Sequence, residues 1–176
     1  DFTVGDVYRH ARGKTVSELD NVLITNMVLN TAEPHFNEHL AQSDPMFGKR
    51  TVFGGINIAM VIGLAAQDTA QHAIREIGMD KLKLFTRVYH GDTLYSYSEV
   101  LATEPRPEEG GGIVTFLHRG YNQDAVLVCS GERRVPGKRL VRGLTSSGAL
   151  SSTRTASRQP PGHRSSRSEM RRTSSS

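Results

Sequence analysis

Gly54-Gly55-Ile56-Asn57-Ile58-Ala59-Met60-Val61-Ile62-Gly63-Leu64-Ala65-Ala66-Gln67 is the stretch on which the fold turns. From Ile58 to Ala66 it is apolar nearly all round, which predicts a helix over Ile56 to Gln71 buried on most of its faces. The apolar run from Gly54 to Ala66 contains Asn57 and falls well short of the roughly 20 residues a membrane helix needs. Ala59, Gly63, Ala65 and Ala66 are small enough to let a neighbouring element come close. A helix this enclosed needs a sheet around it, and the chain downstream supplies strands. Leu82 to Val88 alternates with a period of two, as a half-buried strand does, and His90-Gly91-Asp92 is a turn signal. Thr93 to Ala102 is a β-rich run. Pro105, Pro107 and Gly110-Gly111-Gly112 form a loose connection to Ile113 to Tyr121, and Asn122-Gln123-Asp124 turns into Ala125 to Val135. Strands starting near 82, 94, 113 and 125 predict an antiparallel meander, and with the helix an α+β domain.

Upstream of the helix, Val4 to Lys14 reads as an edge strand. Ser17-Glu18-Leu19-Asp20 resembles a capping box, with Asp20 in the place of the longer acid, and predicts a helix start. Leu19, Leu23 and Met27, joined by Val22 and Leu29, recur at helical spacing after it. Pro34 ends any helix before it by disfavouring the α conformation at Glu33. The loop that results collects Asn30, Thr31, Glu33, His35, Asn37, Glu38 and His39.

Charge is unevenly spread along the 176 residues. Of 22 basic and 18 acidic residues, nine basic and one acidic lie at 138–176, so residues 1–137 hold 13 basic and 17 acidic and carry −4. The overall +4 therefore belongs to the tail, and the body is not a basic nucleic-acid binder. Residues 137–176 contain 11 Ser and eight Arg and no aromatic residue, a composition that predicts disorder. Such a tail suits RNA or an acidic surface; a read-through or out-of-frame segment with no selected role is the plainer reading. The domain is accordingly expected at 1–136. The lone Cys129 excludes an intrachain disulfide and a Cys-rich zinc site and suits a reducing cytoplasm. Flanked by Leu127 and Val128, it reads as a small buried hydrophobe. No signal peptide opens the chain, and a first residue other than Met suggests a trimmed or incomplete copy.

His35-Phe36-Asn37-Glu38-His39 matches the H-x-x-E-H pattern of zinc hydrolases, whose chemistry requires both histidines on one helical face. Here Pro34 directly precedes the first histidine and no second motif announces a third ligand, so no metal is expected and His39 reads as a solvated surface residue.

A different reading takes in the residues before His35. Asn30-Thr31-Ala32-Glu33-Pro34-His35-Phe36-Asn37 resembles the hydratase motif of the MaoC-like acyl-CoA dehydratase family, Asp or Asn, four residues, then His. Phe47-Gly48-Lys49-Arg50-Thr51-Val52-Phe53-Gly54-Gly55 is similar to the segment leading into that family's central helix, and His90-Gly91-Asp92-Thr93-Leu94 to the start of one of its strands. His118-Arg119-Gly120-Tyr121-Asn122-Gln123 is similar to a motif of the mesaconyl-CoA hydratase and methylmalyl-CoA dehydratase branch. Four stations in family order cover about residues 3–135.

The resemblance implies a single hot-dog domain, an antiparallel sheet wrapped around one long helix, in a homodimer with the acyl-CoA site at the interface. It implies reversible addition of water across the 2,3 double bond of an enoyl-CoA thioester of short, branched or dicarboxylic kind. CoA enters only as part of the substrate, no other cofactor is implied, and neither a membrane nor nucleic acid is an expected partner. Such a reaction needs a base, an acid at C2 and donors for the thioester oxygen. His35 is the implied base, since histidine titrates near 6.5 in water. Asn30 stands where many relatives carry Asp. An amide takes no proton, so its role is to orient water; a left-handed residue closing a helix is the structural alternative. Gly54 and Gly55 open the central helix and are placed to bind the thioester oxygen, against a reading as a turn that needs glycine for geometry alone. Phe53 stands where relatives have His or Asn, which implies a more apolar acyl pocket. Lys49, Arg50 and Arg87, with Lys83 and Arg119, are candidate partners of CoA phosphates or else solvated faces, and Glu33 is a possible stand-in for the missing carboxylate. A hot-dog thioesterase and a non-catalytic acyl-CoA binder are the alternatives; the first usually carries a carboxylate on the central helix, and none stands between Gly54 and Gln67.

Overall fold

The computed structural model describes residues 2–71, 73, 75–138 and 157–159. Along the chain they form β1 (Val7–Thr15), α1 (Glu18–Met27), α2 (Glu33–Phe36), α3 (Glu38–Ser43), α4 (Gly54–Thr69), β2 (Gly78–Leu84), β3 (Thr93–Arg106), β4 (Gly111–Tyr121), β5 (Leu127–Lys138) and β6 (Ser157–Gln159). The expected helix over Ile56 to Gln71 is α4. It packs across β1, β3, β4 and β5 of an antiparallel sheet ordered β2-β5-β4-β3-β1-β6. Most of the tail read as disordered lies outside the described residues; of those described, Lys138 closes β5 and 157–159 pair with β1.

The core forms where the apolar stripe of α4 meets the concave sheet face. Ile56 and Val61 pack with Val16, Val52, Val88, Leu94, Val128 and Cys129, all nearly or wholly removed from water. Burial raises the Cys129 thiol to about 12, which leaves it an inert apolar filler. A side chain at Gly120 on β4 would overlap Val61 of α4, so the glycine lets the helix settle onto the sheet. Under the far end of the sheet, Val100, Phe116 and Val135 form a second cluster with Phe2 and Tyr8.

Three sequence expectations are corrected. The strands do not run as one simple meander: β3, β4 and β5 are consecutive neighbours, but β2 pairs with β5 at the far edge. The chain after β2 has to cross the start of α4, where the Val52 N–H donates to the Val88 carbonyl, before it enters β3. The alternation at 82–88 does not mark a half-buried strand. β2 ends at Leu84, and all of its residues but Gly78 are exposed. Finally, α1 begins at the expected capping box, with Ser17 and Asp20 exchanging bonds, yet Leu19, Leu23 and Met27 face outward and its fully buried side chains are Asn21 and Thr25.

Candidate active site

Pro34 sits in the first turn of α2, where a missing N–H costs nothing. The Thr51 N–H donates to the Pro34 carbonyl at 3.0 Å and ties this short helix to the segment entering α4. Asn37 interrupts the helical path with extended backbone and caps α3 by accepting from the Leu40 N–H at 3.1 Å. That break overturns the literal H-x-x-E-H pattern, since His35 and His39 lie on different helices. His39 is exposed and Glu38 is held by Arg50. Among the described residues no cluster of three or more His, Cys, Asp or Glu side chains is placed to hold a metal.

His35 is half-buried, and its ring is held in one orientation. Nδ1 lies 2.9 Å from the Thr51 carbonyl oxygen, which only accepts, so Nδ1 carries the hydrogen. The neutral ring is therefore the tautomer with its lone pair on Nε2. Its face meets Phe53 edge-on at 5.7 Å between ring centres. This places the imidazole beside the residue that caps α4, ahead of Gly54 and Gly55.

The first N–H groups of α4 have no carbonyl one turn back and carry the positive end of a 16-residue helix dipole. Neither Gly54 nor Gly55 adopts a positive φ, so turn geometry does not explain the pair. Space does. A side chain at Gly54 would overlap Leu84, and one at Gly55 would lie 2.5 Å from the Phe53 ring.

The remaining sequence candidates divide. The Asn30 carboxamide oxygen accepts from the Ala32 N–H at 3.0 Å, and the residue makes no hydrogen bond to His35. The left-handed position after α1 belongs to Leu29, at φ 55, and not to Asn30, so the helix-closing reading of Asn30 fails. Arg50 is fully engaged: its guanidinium bonds Glu38 at 2.8 Å and Glu18 on α1. These contacts raise its affinity for its proton and hold Glu38 below the usual carboxylate range. Arg119 pairs with Glu99 at 2.8 Å. Lys49, over the Tyr89 ring at 4.2 Å, and Arg87, over Phe47 at 5.0 Å, are exposed and have no carboxylate partner among the described residues. Lys83 is exposed on β2, and Glu33 is exposed on α2.

Two features escaped the sequence reading. Asn21, wholly buried on α1, donates from Nδ2 to the His35 carbonyl at 3.2 Å and accepts at Oδ1 from the Phe53 N–H at 3.1 Å. An amide amid the apolar residues of α1 was the available signal. The second is a buried polar chain: Asp68 on α4 accepts from His10 Nδ1, and 2.7 Å links join His10 Nε2 to Ser98 Oγ and Ser98 Oγ to His118 Nδ1. His118, first residue of the 118–123 motif, thus fastens strands to helix. Gln123, its last, bonds Asp92 and the Thr93 N–H and joins that motif to the His90-Gly91-Asp92-Thr93-Leu94 station.

The chain is similar to known proteins over most of its length. Residues 3–138 match the family described as mesaconyl-CoA hydratase. The chain is 32% identical over 130 residues to a mesaconyl-CoA hydratase of Haloarcula marismortui, covering 72% of this chain and 35% of the relative. It is 32% identical over 102 residues to a β-methylmalyl-CoA dehydratase of Chloroflexus aurantiacus, covering 58% of this chain and 28% of the relative. A Mycobacterium tuberculosis protein solved as a double hotdog fold superposes with a TM-score of 0.72 at 19% identity, over 83% of this chain and 45% of that one. The chain thus spans about a third of the length of the curated relatives it matches.

Proposed function

Because the chain belongs to the mesaconyl-CoA hydratase family, within the MaoC-like hot-dog hydratases and dehydratases, we propose that it serves the reversible addition of water to a 2-enoyl-CoA. The observation that carries this reading is the pinned His35 ring, with Nε2 as its one unblocked nitrogen, set against the opening turn of α4.

In the hydration direction the thioester oxygen rests on the Gly54 and Gly55 N–H groups, which bind it more strongly as negative charge gathers there. Nε2 of His35 takes a proton from water as the water oxygen bonds to C3. The electron pair of the double bond moves toward the thioester, and the imidazolium returns a proton to C2. Asn30 keeps its Nδ2–H group to orient the water, because its oxygen is already occupied by Ala32. Phe53 forms an apolar wall of the acyl pocket. Lys49 and Arg87 are better placed to meet the CoA phosphates than Arg50, whose charge two carboxylates already satisfy. The names of the relatives favour a branched or dicarboxylic acyl group of four to five carbons. The buried Cys129 suits a reducing cytoplasm as the setting.

The site works as one half of a pair. Leu19, Leu23 and Met27 on α1, and Leu82, Leu84 and Phe85 at the β2 edge, stand more than half exposed in the single chain. Gly55, Ala59, Gly63 and Gln67 form an open, mostly small face along α4. A second copy of this domain is the occupant we propose for these surfaces, which are apolar or small-residue and stand in water in the single chain.

Absorbance of the enoyl-thioester band, followed with crotonyl-CoA and mesaconyl-CoA, tests the reading. Loss of the band with mesaconyl-CoA supports it and assigns the substrate class. Asn30→Asp belongs in the same experiment: activity gained only by that variant would mean a binding domain on a hydratase frame. Release of free CoA thiol would mean a thioesterase instead.

A further inference from the structure

We infer that Asn21 is a positioning residue of this site, holding the base and the oxyanion donors in register through one side chain. The inference rests on the hydratase reading for its kinetic consequence, though not for its geometry.

The carboxamide of Asn21 is 0% exposed and bridges two backbone groups from separate segments. Its Nδ2–H donates to the carbonyl of His35, and its Oδ1 accepts the N–H of Phe53, the residue immediately before Gly54. One planar amide therefore sets the spacing between the residue that carries the base and the one that opens α4. The task needs a donor and an acceptor on one short side chain. Leucine has the shape and neither group, and an ionised aspartate has two acceptors, one facing a carbonyl. Burying an amide is unfavourable unless both ends are bonded, and here both are.

The rest of α1 is arranged to present this residue. The Ser17–Asp20 capping box fixes its start, and Arg50 ties Glu18 to Glu38 on α3. Thr25, on the same inward face, bonds back to the Asn21 main-chain carbonyl at 2.6 Å, within the helix and apart from the bridging carboxamide. The outward turn of Leu19 and Leu23 follows from the same constraint, since the inward face is committed to Asn21 and Thr25. Errors near 1 Å in the placing of reacting groups cost about 100-fold in rate, so a side chain governing that spacing has leverage without touching substrate.

Asn21→Ala and Asn21→Asp are compared with Thr25→Val, which perturbs the same buried helix face but leaves both bridged groups in place. Turnover of the best enoyl-CoA is measured together with melting temperature and the 15N shifts of the His35 imidazole. Both Asn21 variants are expected to lose about 10- to 100-fold in kcat with KM within about threefold. The His35 ring signals should shift, and Thr25→Val should lose far less rate at an equal fall in melting temperature. Equal rate losses at equal destabilisation, or unchanged His35 signals in a folded Asn21→Ala protein, would overturn the inference. If wild type hydrates no enoyl-CoA, the hydratase reading fails on its own, and the His35 signals still decide whether Asn21 sets the ring.

Discussion

The orientation of the His35 ring is set by a carbonyl. A free imidazole divides its proton between two nitrogens, whereas the Thr51 oxygen at 2.9 Å keeps the hydrogen on Nδ1 and commits Nε2 to accept one. The neighbouring Phe53 is held in turn from behind: nothing larger than hydrogen fits on Gly55 without pressing its ring. Gly55→Ala is therefore expected to drive the Phe53 ring toward His35 and lower kcat/KM by roughly tenfold or more. Adding Phe53→Leu should recover part of that loss. Steady-state kinetics of the single and double variants check this, and an equally impaired double variant would show that the methyl group acts elsewhere.

At the scale of elements, the fold was legible where burial follows periodicity and opaque where a helix or strand meets no cover. The run from Ile58 to Ala66 predicts a central helix over Ile56 to Gln71 because nearly every position is apolar, and α4 lies there, shifted by two residues at each end. The capping box was read from Ser17 and Asp20 alone, because that device is local. The face of α1 was not legible: Leu19, Leu23 and Met27 have core spacing, and only the tertiary partners of Asn21 show that the helix is turned polar side in. Similarly, the alternation in β2 does not show that both of its faces stay exposed. For the candidate site, resemblance nominates His35, Gly54 and Gly55, while the engagement of Arg50 by Glu18 and Glu38 joins residues too far apart in sequence to be read from it.

The chain Asp68–His10–Ser98–His118 links α4 to β1, β3 and β4, and it ends in a buried His118 Nε2 with no partner. Burial, with the Arg133 and His10 charges, lowers the His118 pKa to about 3. In the unfolded chain the same side chain titrates near 6.5, so between those values the unfolded state holds the extra proton and acid favours unfolding. Stability should therefore fall as pH drops from about 6.5 toward 3, with His118 contributing at most about 1.4 kcal/mol per pH unit. Urea unfolding of wild type and His118→Gln across that window tests the assignment. A shallower pH slope in the variant is expected, and parallel slopes would remove His118 from the account.

For the whole molecule, a single domain leaves one side of its helix uncovered. Gly55, Ala59 and Gly63 line the open face of α4, and the apolar residues of α1 and β2 stand in water. Sedimentation equilibrium is expected to give twice the chain mass of 19.3 kDa, and Leu84→Glu to shift the population toward monomer. A wild-type protein that stays monomeric at tens of micromolar would leave these surfaces for another partner. Among the described residues no helix is long and apolar enough to cross a membrane.

In the proposed reaction His35 moves the protons of an enoyl-CoA hydration. The most direct measurement follows the enoyl-thioester absorbance of mesaconyl-CoA with wild type and His35→Ala at equal concentration and equal folded fraction. The account predicts loss of the band with wild type and a rate at least about 100-fold lower in the variant, as expected when a general acid–base group is removed. Wild-type rates in His35→Ala would contradict it.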